Sequence, residues 1–407
     1  MDILPILSTL KRHKTAAGLI VLQIALTCAI VCNALFLIFQ RIDRIEQPSG
    51  VAENELLMLQ VSGMTRSPDE QSETQADLQA LRQIPGVRVA TLATQLPFAQ
   101  SSTYSSVKLQ PGDVPPVLSA SSYMGGEGIV EALGLRLVEG RDFLPNEYVD
   151  RSVVSGNDNP VIPSIILNTE MAHRLFPHES ALGKSLYVYG DVPHRVVGVV
   201  ERLVSPNPSS TDETSLNTLL LPVRPSYRSG LFVLRVDPAQ RETILKAAAA
   251  KLLHNTPGVK RLVREQRMMS EMRSAYYRQD RSMIQLLAGV CVALLVVTAF
   301  GIVGLGSFWV QQRTRMIGTR RALGATRGQI LRYFQTENLL LTTVGIVLGM
   351  MGAYGISLLL MRQYELPPLP VIYLPVGAVA LWALGQIAVL APARRAAALP
   401  PVVALRG

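Results

Sequence analysis

The sequence predicts an α-helical membrane protein with four transmembrane helices and one large extracytoplasmic α/β domain. Three observations predict it. Four long apolar stretches lie at residues 16–39, 283–310, 337–361 and 371–391. A polar interval, residues 40–282, separates the first stretch from the other three. The formal net charge of +9 falls outside that interval, since residues 41–282 hold 26 basic and 27 acidic side chains while the remainder holds 13 and 3. A mean hydropathy of +0.26 and a charged fraction of 17% fit a chain that lives partly in lipid.

Each apolar stretch is long enough to cross a hydrocarbon core of about 30 Å at about 1.5 Å per residue. The first follows Lys11, Arg12 and Lys14 on a short amphipathic leader, residues 1–15, as a signal peptide would. Its apolar core exceeds the usual length of about 7–15 residues, and no small-x-small cleavage pattern follows, so an uncleaved anchor is expected. Of the 13 basic residues outside the long interval, all but Arg362 fall at the N-terminus, between residues 311 and 336, or in the tail 392–407. The positive-inside tendency therefore puts both termini in the cytoplasm and residues 40–282 outside. The basic balance reports topology rather than nucleic-acid binding.

Cys28, Cys32 and Cys291 are the three cysteines, all in the first two spans, so the exported domain has no thiol for a disulfide and must fold on its apolar core. Within it, Leu56–Val61 reads as a strand, Asp69–Gln83 as a helix, and Pro85-Gly86-Val87 opens the strand VRVATLA. The pattern recurs in Leu231–Val236, in a helix over Pro238–His254 with proline in its first turn, and in Pro257-Gly258-Val259 before VKRLV. Two such units predict one antiparallel-containing sheet with helices on one face. Between them lies an inserted, mostly β subdomain with strands at Ser164–Leu167, Ser185–Tyr189 and Arg195–Val200.

Helical periodicity continues past the membrane ends, through Ile38, Ile42 and Ile45 on one side and Met268, Met272, Ala275 and Met283 on the other. Such stripes make either a two-helix stalk that carries motion or plain packing at the membrane surface. Gly345, Gly349 and Ala353 repeat at four-residue spacing in the third span, a face that lets another helix backbone approach closely. The sequence leaves open whether that helix belongs to the same chain.

Chemistry is sparse. Leu182-Gly183-Lys184-Ser185 ends like a phosphate loop, but His178 stands where the first glycine is required. His173 and His178 lack any metal-ligand spacing, and no Gly-x-Ser-x-Gly elbow is present. Ser8-Thr9-Leu10-Lys11 fits Ser-x-x-Lys by chance on the leader. Of the polar groups near the spans (Gln23, Asn33, Gln285, Glu337 and Gln386), Glu337 stands out, because an acid entering a span is costly unless paired. Its alternatives are a buried functional group or a side chain snorkelling to the interface.

Residues 311–336 carry six arginines and no acid. Residues 313–323 predict a short helix, Gly324 a left-handed terminator, and Thr326 with Gln329 a capping box that starts the next helix. Met316, Leu323, Ile330 and Phe334 give a narrow apolar stripe. A helix-turn-helix held at both ends by membrane spans could hardly enter a major groove. A lipid-facing anchor fits the charge, yet Gly318, Gly324 and Gly328 suit close contact with a protein.

This segment resembles the permeases of the MacB-like and FtsX-like, mechanotransmitting (type VII) ABC transporters. Arg313-Thr314-Arg315, Ile317-Gly318 and Arg321-Ala322-Leu323-Gly324-Ala325 match that family's signature between the second and third spans. The tail Pro392-Ala393-Arg394-Arg395-Ala396-Ala397 and the segments Glu131–Leu135, Glu139-Gly140-Arg141, Arg174–Pro177 and Val197–Val200 are similar to it as well. The resemblance implies a non-catalytic subunit in which Arg313, Arg315, Ile317, Gly318, Arg320, Arg321, Gly324 and Ala325 contact a cytoplasmic ABC ATPase. ATP and Mg are then bound by that partner, and this chain carries no cofactor or metal of its own.

It further implies a second permease, as a homodimer or a heterodimer with a paralogue, and in some assemblies a periplasmic adaptor and an outer-membrane channel. The stalk residues Ile42, Ile45, Met268 and Met272 would carry motion to a Porter-like part, about residues 50–94 and 231–265, and to a Sabre-like insert, about residues 95–230. The implied location is the bacterial inner membrane, with lipid but not nucleic acid as a further partner. Gln312 and Met316 replace the family's two glutamates, which weakens one side of the expected contact and favours a heteromeric pair. The competing function is a membrane-anchored extracytoplasmic sensor that transports nothing.

Overall fold

The computed structural model describes residues 14–63, 69–99, 102–208, 213–228, 230–255, 261–364, 370 and 372–398. The chain divides into two units, residues 47–278 and a membrane unit of residues 1–46 with 279–407. The membrane unit begins with helix α1 (Lys14–Glu46), which runs seven residues past the expected span and so carries Ile42 and Ile45 in the same helix.

The unit of residues 47–278 starts with β1 (Leu56–Gly63), α2 (Glu70–Arg82) and β2 (Val87–Ala93). Alternating Leu57, Leu59 and Val61 are buried against Leu78 and Leu81 of α2, and the Asp69 side chain caps that helix by accepting from Ser72 N at 3.2 Å. An insert follows, made of β3 (Tyr104–Val107), β4 (Leu118–Met124), α3 (Ile129–Leu133), β5 (Leu137–Gly140), β6 (Val149–Asp150), α4 (Arg151–Val154), β7 (Ser164–Asn168), α5 (Thr169–Leu175), β8 (Ser185–Leu186), β9 (His194–Val200), β10 (Thr218–Leu221) and β11 (Val223–Arg224). The chain then returns through β12 (Leu231–Val236), α6 (Arg241–His254), β13 (Arg261–Met268) and the short helix α7 (Met269–Tyr276).

The two βαβ segments interleave in one sheet of order β13-β1-β12-β2, with every pairing antiparallel. α2 and α6 bury Leu81, Ile244, Ala248 and Leu252 over one face, while α3 lies against β2 and β12. Their burial, at about 1.5–3 kcal/mol for each large side chain, is the main source of cohesion. Arg261 staples the two halves: its guanidinium bonds Asp77, reaches Glu73 at 3.0 Å, and lies 4.4 Å from the Tyr227 ring. Burial pushes the Asp77 carboxyl above the usual carboxylate range, against the opposing pull of Asn255 and Arg261.

The insert forms its own mixed sheet, β3-β4-β10-β7-β9-β5, with β8 on β9 and a core that includes Ile165, Leu167, Met171, Val196 and Leu219. β8 is shorter than expected and ends at Leu186; Tyr187 makes an isolated bridge to Lys108. Pro238 sits in a turn rather than in the first turn of α6, because the Asp237 carboxylate and carbonyl accept from Ala239 N and Gln240 N, both at 3.0 Å. Residues 257–259 lie outside the described residues.

The Met268–Met283 stripe is not one helix. Met268 ends β13, where it pairs with Leu57, and Met272 lies in α7, which stops at a buried Tyr277 packed edge-on against Phe98 with centroids 5.7 Å apart. Strand pairing and this aromatic contact override the helical period.

The membrane unit continues with α8 (Arg278–Gln312), α9 (Thr314–Ala322), α10 (Arg327–Tyr364) and α11 (Tyr373–Ala398). α1, α8, α10 and α11 are each long and apolar enough to cross a membrane. α11 passes through Pro392 and extends into the segment expected to be tail. Asp280 at the start of α8 bonds Arg41 and lies 3.8 Å from Arg44, both on α1.

The small-residue face of α10 packs on α1 of the same chain. A Cβ on Gly349 would sit 2.5 Å from Cys28 Cβ and 2.6 Å from the Ala25 carbonyl oxygen, and one on Gly345 would sit 2.8 Å from Ile24 Cβ. Ala353 is fully buried there, and Asn33 Nδ2 donates to its carbonyl at 3.2 Å. Thr27 and Thr298 hydroxyls, 2.8 Å apart, join α1 to α8.

Candidate functional site

The elbow is built from two helix ends that each close themselves. α8 breaks at Arg313, and α9 then runs nine residues to Ala322. Its end is a Schellman motif: Ala325 N donates to Arg320 O at 3.0 Å and Gly324 N to Arg321 O at 3.2 Å, with Gly324 at φ +96°. Two residues later Thr326 N donates to Gln329 Oε1 at 2.9 Å, while Thr326 Oγ1 accepts from Gln329 N at 3.3 Å. This reciprocal pair starts α10. The carbonyls of Arg320 and Arg321 and the amides of Thr326 and Gln329 are thereby satisfied within the turn.

The elbow has an inner and an outer side. Ile317 and Gly318 are buried; Ile317 joins Val310, Ile330 and Phe334 in a small core with Ala393, Ala396 and Ala397 of α11. Arg313 is buried too, and its Nη1 donates to both oxygens of Glu337, at 2.9 and 2.8 Å. The guanidinium lies 5.6 Å from the Trp309 ring. Arg321 is half-buried and donates to the Ala397 carbonyl at 2.8 Å, which satisfies a carbonyl in the last turn of α11.

Facing outward are Arg315, Arg320, Leu323, Gly324 and Arg327. The Arg320 guanidinium lies 4.9 Å from the Tyr333 ring, and Leu323 is 83% exposed at the tip. Gln312 is exposed, whereas Met316 and Ala325 are half-buried.

Two sequence expectations change here. The coupling set divides by exposure: Arg313, Ile317 and Gly318 are buried within the membrane unit, whereas Arg315, Arg320 and Gly324 are exposed. The apolar stripe also splits: Ile330 and Phe334 are buried, but Leu323 is exposed and Ile317 takes its place. The turn at Gly324 resets the helical phase, so a single period cannot run through it. Glu337 does not snorkel; it is 1% exposed and paired.

In the other unit, Gly183 adopts φ +76° in the turn before β8, and Lys184 pairs with Glu179 at 2.7 Å, a structural contact rather than a phosphate cradle. His194, which no sequence motif singles out, is fully buried. Its Nδ1 pairs with the Ile162 carbonyl at 2.7 Å and its Nε2 accepts from Tyr189 N at 3.4 Å. Burial lowers the pKa of its ring from the ordinary 6.5, against the opposing pull of the Ile162 carbonyl.

Among the described residues, four apolar helices long enough to cross a membrane, an α/β domain between the first two and a self-capped basic elbow before the third define a multi-pass membrane protein with one large domain outside the spans. Two family models match the chain: the MacB-like periplasmic core domain over residues 20–252 and the FtsX-like permease C-terminal region over residues 288–401. The chain belongs to this family of MacB/FtsX-type ABC transporter permeases.

It is 26% identical over 341 residues to the uncharacterized ABC transporter permease YknZ of Bacillus subtilis, covering 83% of this chain and 80% of that one. It is 31% identical over 303 residues to the macrolide export ATP-binding/permease protein MacB of Chromobacterium violaceum, covering 71% and 43%. The chain thus spans less than half the length of that MacB relative. Among solved structures, the periplasmic region of MacB from Actinobacillus actinomycetemcomitans aligns at 16% identity and TM-score 0.30, covering 57% of this chain and 97% of that one. The extracellular domain of YknZ aligns at 19% and 0.30, covering 51% and 100%.

Proposed function

We propose that this chain is a non-catalytic permease subunit that couples ATP hydrolysis by a separate ABC ATPase to movement of its extracytoplasmic domain. The observation that carries this reading is the two-sided elbow. Arg315, Arg320 and Arg327 with the exposed Leu323 form a basic, apolar-tipped surface, while Arg313, Ile317 and Arg321 fasten the same segment to α10 and α11. Such a segment takes force from a partner on one side and hands it to membrane helices on the other. The family's established character as ABC permeases supports an ATPase as that partner, with ATP and Mg bound there.

In this reading both termini and the elbow are cytoplasmic. A second permease, identical or a paralogue, completes the assembly, with a periplasmic adaptor and an outer-membrane channel where the envelope has two membranes. Export, including that of macrolides named for the MacB relatives, and pure mechanical signalling are the outcomes open to it.

The test is charge reversal on the outer side. Arg315→Glu with Arg320→Glu should abolish co-purification with the cognate ATPase and permease-dependent stimulation of ATP hydrolysis, with membrane insertion intact. Undiminished ATPase recovery from the doubly reversed protein would refute the coupling role.

A further inference from the structure

Among the described residues Phe98 alone, glycines apart, has a positive φ, at +63°. For a bulky side chain that backbone is a genuine outlier, disfavoured about five- to thirty-fold against the right-handed and extended regions. Nothing local offsets it, because phenylalanine, unlike asparagine or aspartate, has no polar group to bond its own backbone. The offset comes from far along the chain. Phe98 is buried, with its ring centroid 5.7 Å from those of both Tyr276 and Tyr277 and 5.5 Å from the Arg273 guanidinium carbon. The two tyrosine rings meet edge-on at 4.9 Å, and Arg273 also lies 5.9 Å from the Tyr277 ring. Aromatic and cation–π contacts of this kind hold a residue in a sparsely populated conformation when several act on it at once.

The clamp joins three parts of the domain. Arg273 and Tyr276 lie on α7, Tyr277 ends it, and the chain passes straight on into α8 at Arg278. Arg273 also bonds Glu53 and donates to the Gln47 carbonyl at 2.8 Å, in the segment that leads to β1. The segment carrying Phe98 leaves β2 and is bolted to β4 of the insert. Thr94 N donates to Met124 O at 2.9 Å, Met124 N to Thr94 Oγ1 at 3.1 Å, and Gln95 Nε2 to Ser122 O at 2.9 Å. Gln95 is buried, and its Oε1 accepts from Thr103 N at 2.9 Å. A reversal of φ at Phe98 redirects the backbone beside Gln95 and takes the ring away from the tyrosines.

We propose that Phe98 is a strained latch: Arg273, Tyr276 and Tyr277 hold its backbone left-handed, and a shift of α7 that withdraws them releases it to negative φ, loosening the grip of Gln95 on β4. Residues 94–99 are then a two-state element that passes the position of α7 to the insert. Strain drives the release once the clamp opens, so the response to a small movement of α7 is all-or-none rather than graded. The latch rests on contacts within residues 47–278 and is independent of the coupling role of the elbow.

Pro97-Phe98 is the sequence's single Pro-Phe pair, so isotope labels on the proline carbonyl and on the phenylalanine nitrogen and Cα isolate Phe98 in the spectrum. In the full-length protein in lipid bilayers, correlation of its N–H and Cα–H dipolar tensors reads φ directly. Hydrogen exchange is followed at Thr103 N and at Tyr277 N, which donates to Arg273 O at 3.1 Å. The unsubstituted protein should show a positive φ, with the two amides opening together as one unit. Tyr277→Leu and the milder Arg273→Lys should turn φ negative and speed exchange at Thr103 several-fold. A negative φ in the unsubstituted protein, or separate opening of the two amides there, overturns the latch even if neither variant folds. A φ that stays positive in a folded variant overturns it as well, and a φ that reverses with Thr103 exchange unchanged overturns the link to the insert.

Discussion

Arg313 and Glu337 are buried against each other, with one guanidinium nitrogen on both carboxylate oxygens at 2.9 and 2.8 Å, joining the break between α8 and α9 to the body of α10. Two charges taken out of water together are tolerable; one alone is not. Arg313→Met or Glu337→Leu alone should therefore destabilise the membrane unit by about 3–5 kcal/mol, while the double substitution should recover most of the loss. Thermal unfolding in detergent checks this. If the double variant is as unstable as the sum of the singles, the two residues do not act as a pair.

Glycines on α10 divide into packed and open ones. Gly349→Ala places a methyl 2.5 Å from Cys28 Cβ and should push α1 and α10 apart. Gly355, with nothing within 4 Å of an added Cβ, should accept alanine and gain up to about 1 kcal/mol from helix propensity. Opposite shifts in unfolding temperature are the expected result, and a gain at Gly349 would contradict the close approach of the two helices.

Gly324 offers a clean conformational test, because a Cβ there meets nothing within 4 Å yet the backbone sits at φ +96°. Gly324→Ala should cost about 1–2 kcal/mol through left-handed strain alone, with Gly324→Asn milder. Hydrogen exchange at the amides of residues 324–329 would read this as faster opening in the alanine variant. Unchanged protection would show that the Schellman bonds do not hold the turn.

His194 supplies a pH dependence whose sign follows from its lowered value. Below 6.5 the unfolded chain takes up the proton before the folded one does, so it binds more protons and the fold loses stability as pH falls from about 7 toward 5. His194→Asn should flatten this slope, whatever its effect on absolute stability. Thermal scans of both proteins across that range decide it, and identical slopes would mean that the buried ring is not responsible.

Locally encoded features were legible in the sequence; features made by distant contacts were not. The β1 and β2 strands, the Asp69 start of α2, the Gly324 terminator and the Thr326–Gln329 exchange each depend on residues within a few positions of one another. The Arg313–Glu337 pair joins residues 24 apart, and nothing in the arginine pattern distinguishes Arg313 from its exposed neighbours. The break at Tyr277 depends on Phe98, and the burial of His194 on Ile162, both far off along the chain. Four-residue spacing marked Gly345, Gly349 and Ala353 as a packing face, but only the fold identifies α1 as its neighbour.

The position of β13 beside β1 has a mechanical meaning. The chain enters the sheet near Leu56 and leaves it at Met268, and Leu57 and Met268 are paired in an antiparallel ladder, so both connections emerge from the same end. A force that draws the two connections apart would load the ladder one rung at a time, as a zip opens. A force that slides the two connections past each other along the strands would instead load all rungs at once. Arg273, which bonds Glu53 and donates to the Gln47 carbonyl at 2.8 Å, sits where the zip would start. The ladder is thus weak to prying apart of its two connections and strong to shear between them.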